Sequence, residues 1–83
     1  MRSEELLASQ EKWNTRFGAF VREGRRKKGL TQVEVCKRLN LSQSFLSDIE
    51  NGRRNVDFGA GLAICNLLEV DLNDLLRQYK ESE

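Results

Sequence analysis

The sequence predicts an all-α domain of five short helices, and three observations carry that reading. The 83 residues contain no proline, and no run of β-branched residues asks for extended backbone. Apolar residues recur three and four apart in successive segments, the period of a helix and not the alternation of a strand. Between the segments stand residues that start or stop helices: Gly29, Thr31, Asn40, Ser42, Gly52, Asp57 and Asp71. A chain of this length makes one domain with a small core. Residues 13–80 form that domain, and residues 1–12 are either an amino-terminal arm or an extension of the first helix.

The first helix is expected from about residue 10 to Lys28, with Gly29 ending it. Trp13, Phe17, Phe20 and Gly24 fall within about 60° of one another on a helical wheel, with Val21 on the flank. Leu6 joins them if the helix begins earlier. This stripe reads as core and not as a ligand pocket. Gly24 should cost about 1 kcal/mol of helix propensity and leave room for Trp13 or Phe17 to fill.

Thr31 is a good N-cap for the second helix, and Glu34 stands three residues on to close a capping box. Val33, Val35, Cys36 and Leu39 keep helical spacing up to Asn40, whose residue type tolerates the left-handed conformation that ends a helix. Leu41 plugs the turn, Ser42 caps the third helix, and Gly52 stops it. Leu46 and Ile49 mark the inward face of that helix. Ser44, Ser47, Asp48 and Asn51 lie opposite, with Gln43 in the first turn. Two short helices, a tight turn and a shared apolar seam make a helix-turn-helix. Small hydroxyl and amide groups on the outward face suit the major groove, because they pair with base edges without blocking the approach. Any solvated helix is also polar outside; the turn spacing, the two caps and the flanking basic residues favour the DNA reading.

After Gly52, Arg53, Arg54 and Asn55 form a short loop suited to clamping phosphate. Asp57 caps a fourth helix from Phe58 to Leu68, expected to bury Leu62, Ile64 or Cys65, and Leu68. Gly59 and Gly61 weaken its first turn and strip it of side chains, which would let a partner approach closely. The fifth helix starts after Asp71 and places Leu72, Leu75, Leu76 and Tyr79 on one stripe. Five helices cannot all be interior in so small a domain. Either part of this stripe is an interface, or the core absorbs it all.

Net charge is only +1, but it is unevenly spread. Residues 22–54 hold nine basic groups against four acidic, whereas residues 55–83 hold two against six. The basic region surrounds the motif, as a phosphate-facing surface requires. With no histidine and two cysteines, a Cys/His metal site cannot be assembled. Cys36 and Cys65 occupy apolar helical positions and read as buried, reduced thiols. No nucleophile–base pair and no phosphate-cradling glycine loop is present, so the expectation is neither an enzyme nor a cofactor protein. No small-molecule ligand is evident. The lack of a membrane-length apolar run or a signal-peptide core points to a cytoplasmic protein with no membrane partner.

Gly29-Leu30-Thr31-Gln32, small Cys36, Leu46, Ile49-Glu50-Asn51-Gly52, Arg53-Arg54-Asn55 and Leu67-Leu68-Glu69-Val70-Asp71-Leu72 together resemble the lambda-repressor-like superfamily. This is the Cro/C1-type, or xenobiotic-response-element, family of transcriptional regulators, and the resemblance spans roughly residues 20–77. It implies a compact five-helix DNA-binding domain acting as a homodimer on a palindromic double-stranded operator. It further implies that Gln32 binds phosphate, that Arg25 and Glu50 form a structural ion pair, and that Cys36 sits where the motif helices cross. Dimers in the family commonly form through the last helix, which makes Leu76 and Tyr79 the interface candidates, with Leu6, Leu7 and Trp13 next. Two residues depart from the pattern. Gly24 replaces a large aliphatic, and Phe45 stands where relatives often carry a tyrosine hydroxyl for phosphate. The DNA-binding set is then Gln32, Ser42, Gln43, Ser44, Phe45, Ser47, Asp48, Asn51, Arg53, Arg54 and Asn55, with Lys27 or Lys28 as further phosphate contacts. Within this reading a phage-type repressor, a restriction-modification controller and a DNA-binding antitoxin compete, and the compact size leans towards the first two. A helical interaction module without DNA binding is the alternative of another class; Gln32, Gln43, Asn51 and the basic loop argue against it.

Overall fold

The computed structural model describes the backbone of residues 3–81 and the side chains of residues 9–81. Five helices follow one another: α1 (Ser3–Lys27), α2 (Gln32–Leu39), α3 (Gln43–Glu50), α4 (Phe58–Leu68) and α5 (Leu72–Glu81). There is no strand among the described residues. α1 begins at Ser3 rather than near residue 10, because Glu, Leu, Ala, Gln and Lys up to residue 12 are good helix formers with no glycine or proline to interrupt them. Residues 3–12 therefore continue α1.

The local signals for the helix ends act as caps. Thr31 Oγ1 accepts from Glu34 N–H at 3.1 Å, and Thr31 N–H donates to Glu34 Oε1 at 3.0 Å. Asn40 ends α2 in the left-handed region at φ 55° and ψ 46°. Ser42 Oγ accepts from Phe45 N–H at 3.1 Å, and Asp57 Oδ1 from Ala60 N–H at 2.8 Å. Asp71 Oδ1 accepts from Asn73 N–H at 2.8 Å, at the start of α5. One terminator carries no sequence signal: Glu69 ends α4 with φ 55°, a left-handed residue that is neither Gly nor Asn.

α1 is the spine against which α3, α4 and α5 pack, while α2 packs on α3. Phe17, Phe20 and Val21 of α1 meet Val35, Leu46, Ile49, Ile64, Leu68 and Leu75 in one core. Val21, expected on the flank, is fully buried. Ile64 and Cys65 are both buried, but Leu62 is 41 % exposed, since it lies roughly 115° round α4 from the axis through Ile64, Cys65 and Leu68. Val33 is exposed for the same reason, being well off the Val35–Cys36 axis. The space at Gly24 is filled from the other end of the chain: a Cβ there would lie 2.7 Å from Val70 Cγ1 and 3.6 Å from Leu68 Cδ1. Phe17 and Trp13 cannot fill it, as they sit about two and three turns away along α1, respectively.

Among the glycines, the tightest approach to another part of the chain is at Gly18. A Cβ on it would stand 2.2 Å from Ile49 O and 2.8 Å from Glu50 O, so only glycine lets α1 lie against the end of α3. Just beyond, Gly52 at φ 72° turns the chain beneath Thr15, whose Cα is 3.0 Å from where a Cβ would be. Gly18→Ala should therefore cost at least the about 1–3 kcal/mol usual for overpacking, because the obstacle is backbone. Gly59→Ala meets only Asp57 Oδ1, at 3.4 Å, and should be neutral or stabilise by up to about 1 kcal/mol through helix propensity. Urea unfolding of both variants beside the parent checks the contrast.

Candidate nucleic-acid interface

Because Gly18 brings α1 onto the end of α3, the side chain of Glu50 is carried under α1 and is 0 % exposed. Arg22 and Arg25, three apart and thus on neighbouring parts of one helix face, flank it. Arg25 Nε donates to Glu50 Oε2 at 2.8 Å and Nη2 to Oε1 at 3.0 Å, a two-point pairing that fixes both groups in one plane. Arg25 Nη1 donates to Leu30 O at 2.8 Å. Gln32 Nε2 donates to Glu50 Oε1 at 3.2 Å. Arg22 Nε approaches the same oxygen at 3.4 Å, and its Nη2 donates to Asn51 Oδ1 at 2.9 Å. Burial alone would push the Glu50 carboxyl up; the hydrogen bonds from Arg25 and Gln32, the Arg25 charge and the Arg22 bond outweigh it and hold the group below its ordinary value. The hydrogen bond to Glu50 raises Arg25 in turn, against its own partial desolvation. One carboxylate thus joins α1, the approach to α2, α2 itself and the end of α3.

That anchor sets which side of α3 faces outward. Gln43 and Ser44 are exposed, Ser47 and Asp48 half-buried, and with Gln32 they line one shallow polar depression. Ser42, beside them, is spent on its cap. Asn51 Nδ2 donates to Ser47 O at 2.9 Å, so both ends of this amide are engaged within the protein. Phe45 is half-buried, and the Arg54 guanidinium lies 4.7 Å from its ring centroid. Arg54 also reaches Asp48 Oδ2 at 3.6 Å. Arg53 is exposed, whereas Asn55 Oδ1 accepts from Asn14 Nδ2 at 2.7 Å and ties the loop to α1. Lys27 pairs with Glu23 at 2.9 Å and Lys28 with Glu69 at 3.0 Å. The depression therefore gathers Gln32, Gln43, Ser44, Ser47 and Asp48, with Arg54 at its edge, while Asn55 and the two lysines stand apart.

The description "Helix-turn-helix domain" belongs to the family whose pattern matches residues 16–78. The chain belongs to this family. It is 40 % identical over 60 residues to the ImmF control region 10 kDa protein of Bacillus phage phi105, covering 72 % of this chain and 67 % of that one. It is 34 % identical over 82 residues to the HTH-type transcriptional regulator PrpR of Mycobacterium tuberculosis, covering 99 % of this chain but only 16 % of that much longer protein. The crystal structure of the clp gene regulator ClgR from Corynebacterium glutamicum superposes with a TM-score of 0.75 at 28 % identity, over 84 % of this chain and 74 % of that one. Helix-turn-helix transcriptional regulators are a DNA-binding class and not an enzymatic one. Among the described residues no helix is long and apolar enough to cross a membrane.

Three residues of this helix-turn-helix domain were not singled out by its sequence. Arg22 had a signal, since it lies one turn before Arg25. Asn14 and Gly18 had none, because their roles depend on how closely α1 and the α3–α4 segment approach. On α5, Leu75 is fully buried and Leu76 is 47 % exposed. Tyr79 packs edge-on to Trp13 at 5.5 Å between centroids, with Lys12 Nζ 4.6 Å from its ring centroid. The side chains of Leu6 and Leu7 lie outside the described residues. Cys36 and Cys65 are free and buried, and burial raises both thiols, keeping them protonated; Cys36 Sγ lies 3.4 Å from Ser42 O, across the turn between α2 and α3.

Acid should reveal the Glu50 anchor. Its folded value lies below the ordinary 4.5, so its contribution is fully present above that pH and is lost as pH falls through the folded value. Glu50→Ala leaves two arginines without their carboxylate and should cost about 3–5 kcal/mol at neutral pH. In melts from pH 7 downward, the gap between parent and variant should hold to about pH 4.5 and then narrow.

Proposed function

We propose that this helix-turn-helix protein is a sequence-specific transcriptional regulator, acting in the cytoplasm as a homodimer on a palindromic operator with α3 in the major groove. The observation that supports this most is the polar outward face of α3, held at a fixed angle by a carboxylate buried on its inward side. Gln43, exposed in the first turn, is the residue to pair in two-point fashion with an adenine. Ser44 and Ser47 read an adjoining base or meet a thymine methyl, and Asp48 accepts from a cytosine amino group. Asp48 also repels phosphate, which disfavours wrong registers. Gln32 sits at the amino end of α2, where backbone N–H groups favour a phosphate. Arg53 and Arg54 supply further phosphate contacts from the loop, and Arg54 exchanges its partly exposed pairing with Asp48 for DNA at little cost. The remaining nominated residues act from behind. Ser42 caps α3, Asn51 and Asn55 fix the segment after it, and Phe45 supports Arg54. The likeness to a phage control-region protein favours a compact repressor-type regulator over an antitoxin.

Binding to a selected operator should weaken with salt, the slope of log K against log salt being negative by several units per dimer. A slope near zero would remove the DNA reading. Selection on randomised half-sites separates the residue roles. Gln43→Ala should lose about 1–3 kcal/mol on the best site and relax preference at one base position. Arg54→Ala should weaken all sequences alike and flatten the slope by about one unit.

A further inference from the structure

DNA recognition leaves one conspicuous surface unused, an apolar groove between α1, α4 and α5. Trp13 and Phe17 form its floor on α1, Gly61 and Leu62 one wall, Leu72 and Leu76 the other, around a cavity of about 290 Å³. Phe58 stands at its mouth and is 78 % exposed, beside Leu62 at 41 % and Leu76 at 47 %. Of the four large hydrophobics exposed among the described residues, three thus gather at one place. Apolar residues scattered singly on a surface need no explanation, but a cluster around a cavity does. None of its residues belongs to the polar depression on α3.

The groove is shaped for something the same patch carries. Phe58 is the first residue of α4, so no preceding helical turn exists for its ring to pack on. Gly59 and Gly61 add no side chains around it. The ring therefore projects. An apolar cavity of about 150 Å³ is known to hold benzene, so this groove has room for a phenylalanine ring and part of its backbone. Knob and hole lie side by side, and a two-fold axis through the patch would seat two rings in two grooves at once, the self-complementary arrangement of a symmetric dimer. The framing elements carry both signs of charge, Asp57 and Asp74 with Lys12 and Arg77, which suits a second copy better than a strongly acidic or basic partner.

We propose that the occupant is a second copy of this chain, with Phe58 of each protomer entering the groove of the other. The proposal deepens the homodimer reading and rests on that part of it alone. It moves the contact away from Tyr79, which already packs on Trp13 within its own domain, towards Phe58, Leu62 and Leu76.

The test uses two variants that remove opposite halves of the contact. Phe58→Ser removes the knob. Gly61→Leu fills the hole, where a Cβ would have ordinary contacts of 3.6 Å to Phe17 and 3.9 Å to Val56. Circular dichroism and binding to a single half-site confirm that each variant is folded. By sedimentation equilibrium the parent should dimerise, and each variant alone should show a dissociation constant at least 10-fold higher. An equimolar mixture should associate more tightly than either variant, since Phe58 of the Gly61→Leu chain can still enter the open groove of the Phe58→Ser chain. Variants that dimerise like the parent, or a mixture no tighter than its components, overturn the exchange. A monomeric parent, leaving the groove to some other partner, overturns it too, while salt-dependent operator binding by that monomer would leave the DNA reading standing. A dimer with a flat salt response would do the reverse.

Discussion

A carboxylate has been taken out of water at the end of α3, and the protein keeps it charged. Removing water from an unpaired carboxylate costs several kcal/mol even after relaxation. Glu50 offsets this with donors from three directions: the Arg25 fork at 2.8 and 3.0 Å, Gln32 at 3.2 Å and Arg22 at 3.4 Å. Replacing the whole cluster of Glu50 and its arginines by well-packed hydrophobic residues is often neutral or stabilising, so stability alone does not explain the arrangement; geometry does. Leu46 and Ile49 fix how deep α3 sits, but an apolar contact resists rotation of a helix about its axis only weakly. Directional bonds to α1 and α2 set that rotation, and an eight-residue helix is far too short to hold itself in water.

The same anchor organises the residues around it. Arg22 uses its second nitrogen to hold Asn51, Asn51 in turn closes the end of α3 on Ser47, and Asn14 holds Asn55. The segment that follows α3 is thus ordered before any partner arrives, which lowers the entropy still to be lost on binding. Arg54 is held differently. Its contacts with Phe45 and with Asp48 at 3.6 Å are partly exposed, worth little individually, and released without leaving a buried group unpaired. Fixed amides behind and a loosely held guanidinium in front would suit the proposed DNA-facing surface, which would have to keep register and yet adapt to phosphate.

What could be read in the sequence divides along a physical line. Thr31 with Glu34, Asn40, Ser42, Gly52 and Asp57 were legible because a cap acts within one turn of its own position. The motif and its outward face followed from them. Misreadings arose where the partner came from afar. The filler beside Gly24 is Val70, and the obstacle that demands glycine at position 18 is the carbonyl of Ile49. Leu62 misled because α4, a short helix with apolar residues on more than half its circumference, does not declare its inward side. The Arg25–Glu50 pairing was anticipated by family resemblance, while Arg22, one helical turn earlier on the same face of α1, was not.

α1 connects the two surfaces. Its 25 residues make a rod of about 37 Å, slightly longer than one turn of DNA, which separates half-sites by about 34–36 Å. Arg22 and Arg25, near its carboxyl end, hold α3; Trp13 and Phe17, two to three turns earlier, form the floor of the apolar groove. An uninterrupted helix bends little over that distance. In the proposed dimer, the angle at which two grooves exchange rings would therefore be passed along α1 to the position of each α3. A small change at Phe58 or Gly61 would shift the separation of the two reading faces without altering either face. Half-site spacing would then be a property of the apolar groove, and base preference a property of Gln43 and its neighbours, with Glu50 the joint between them.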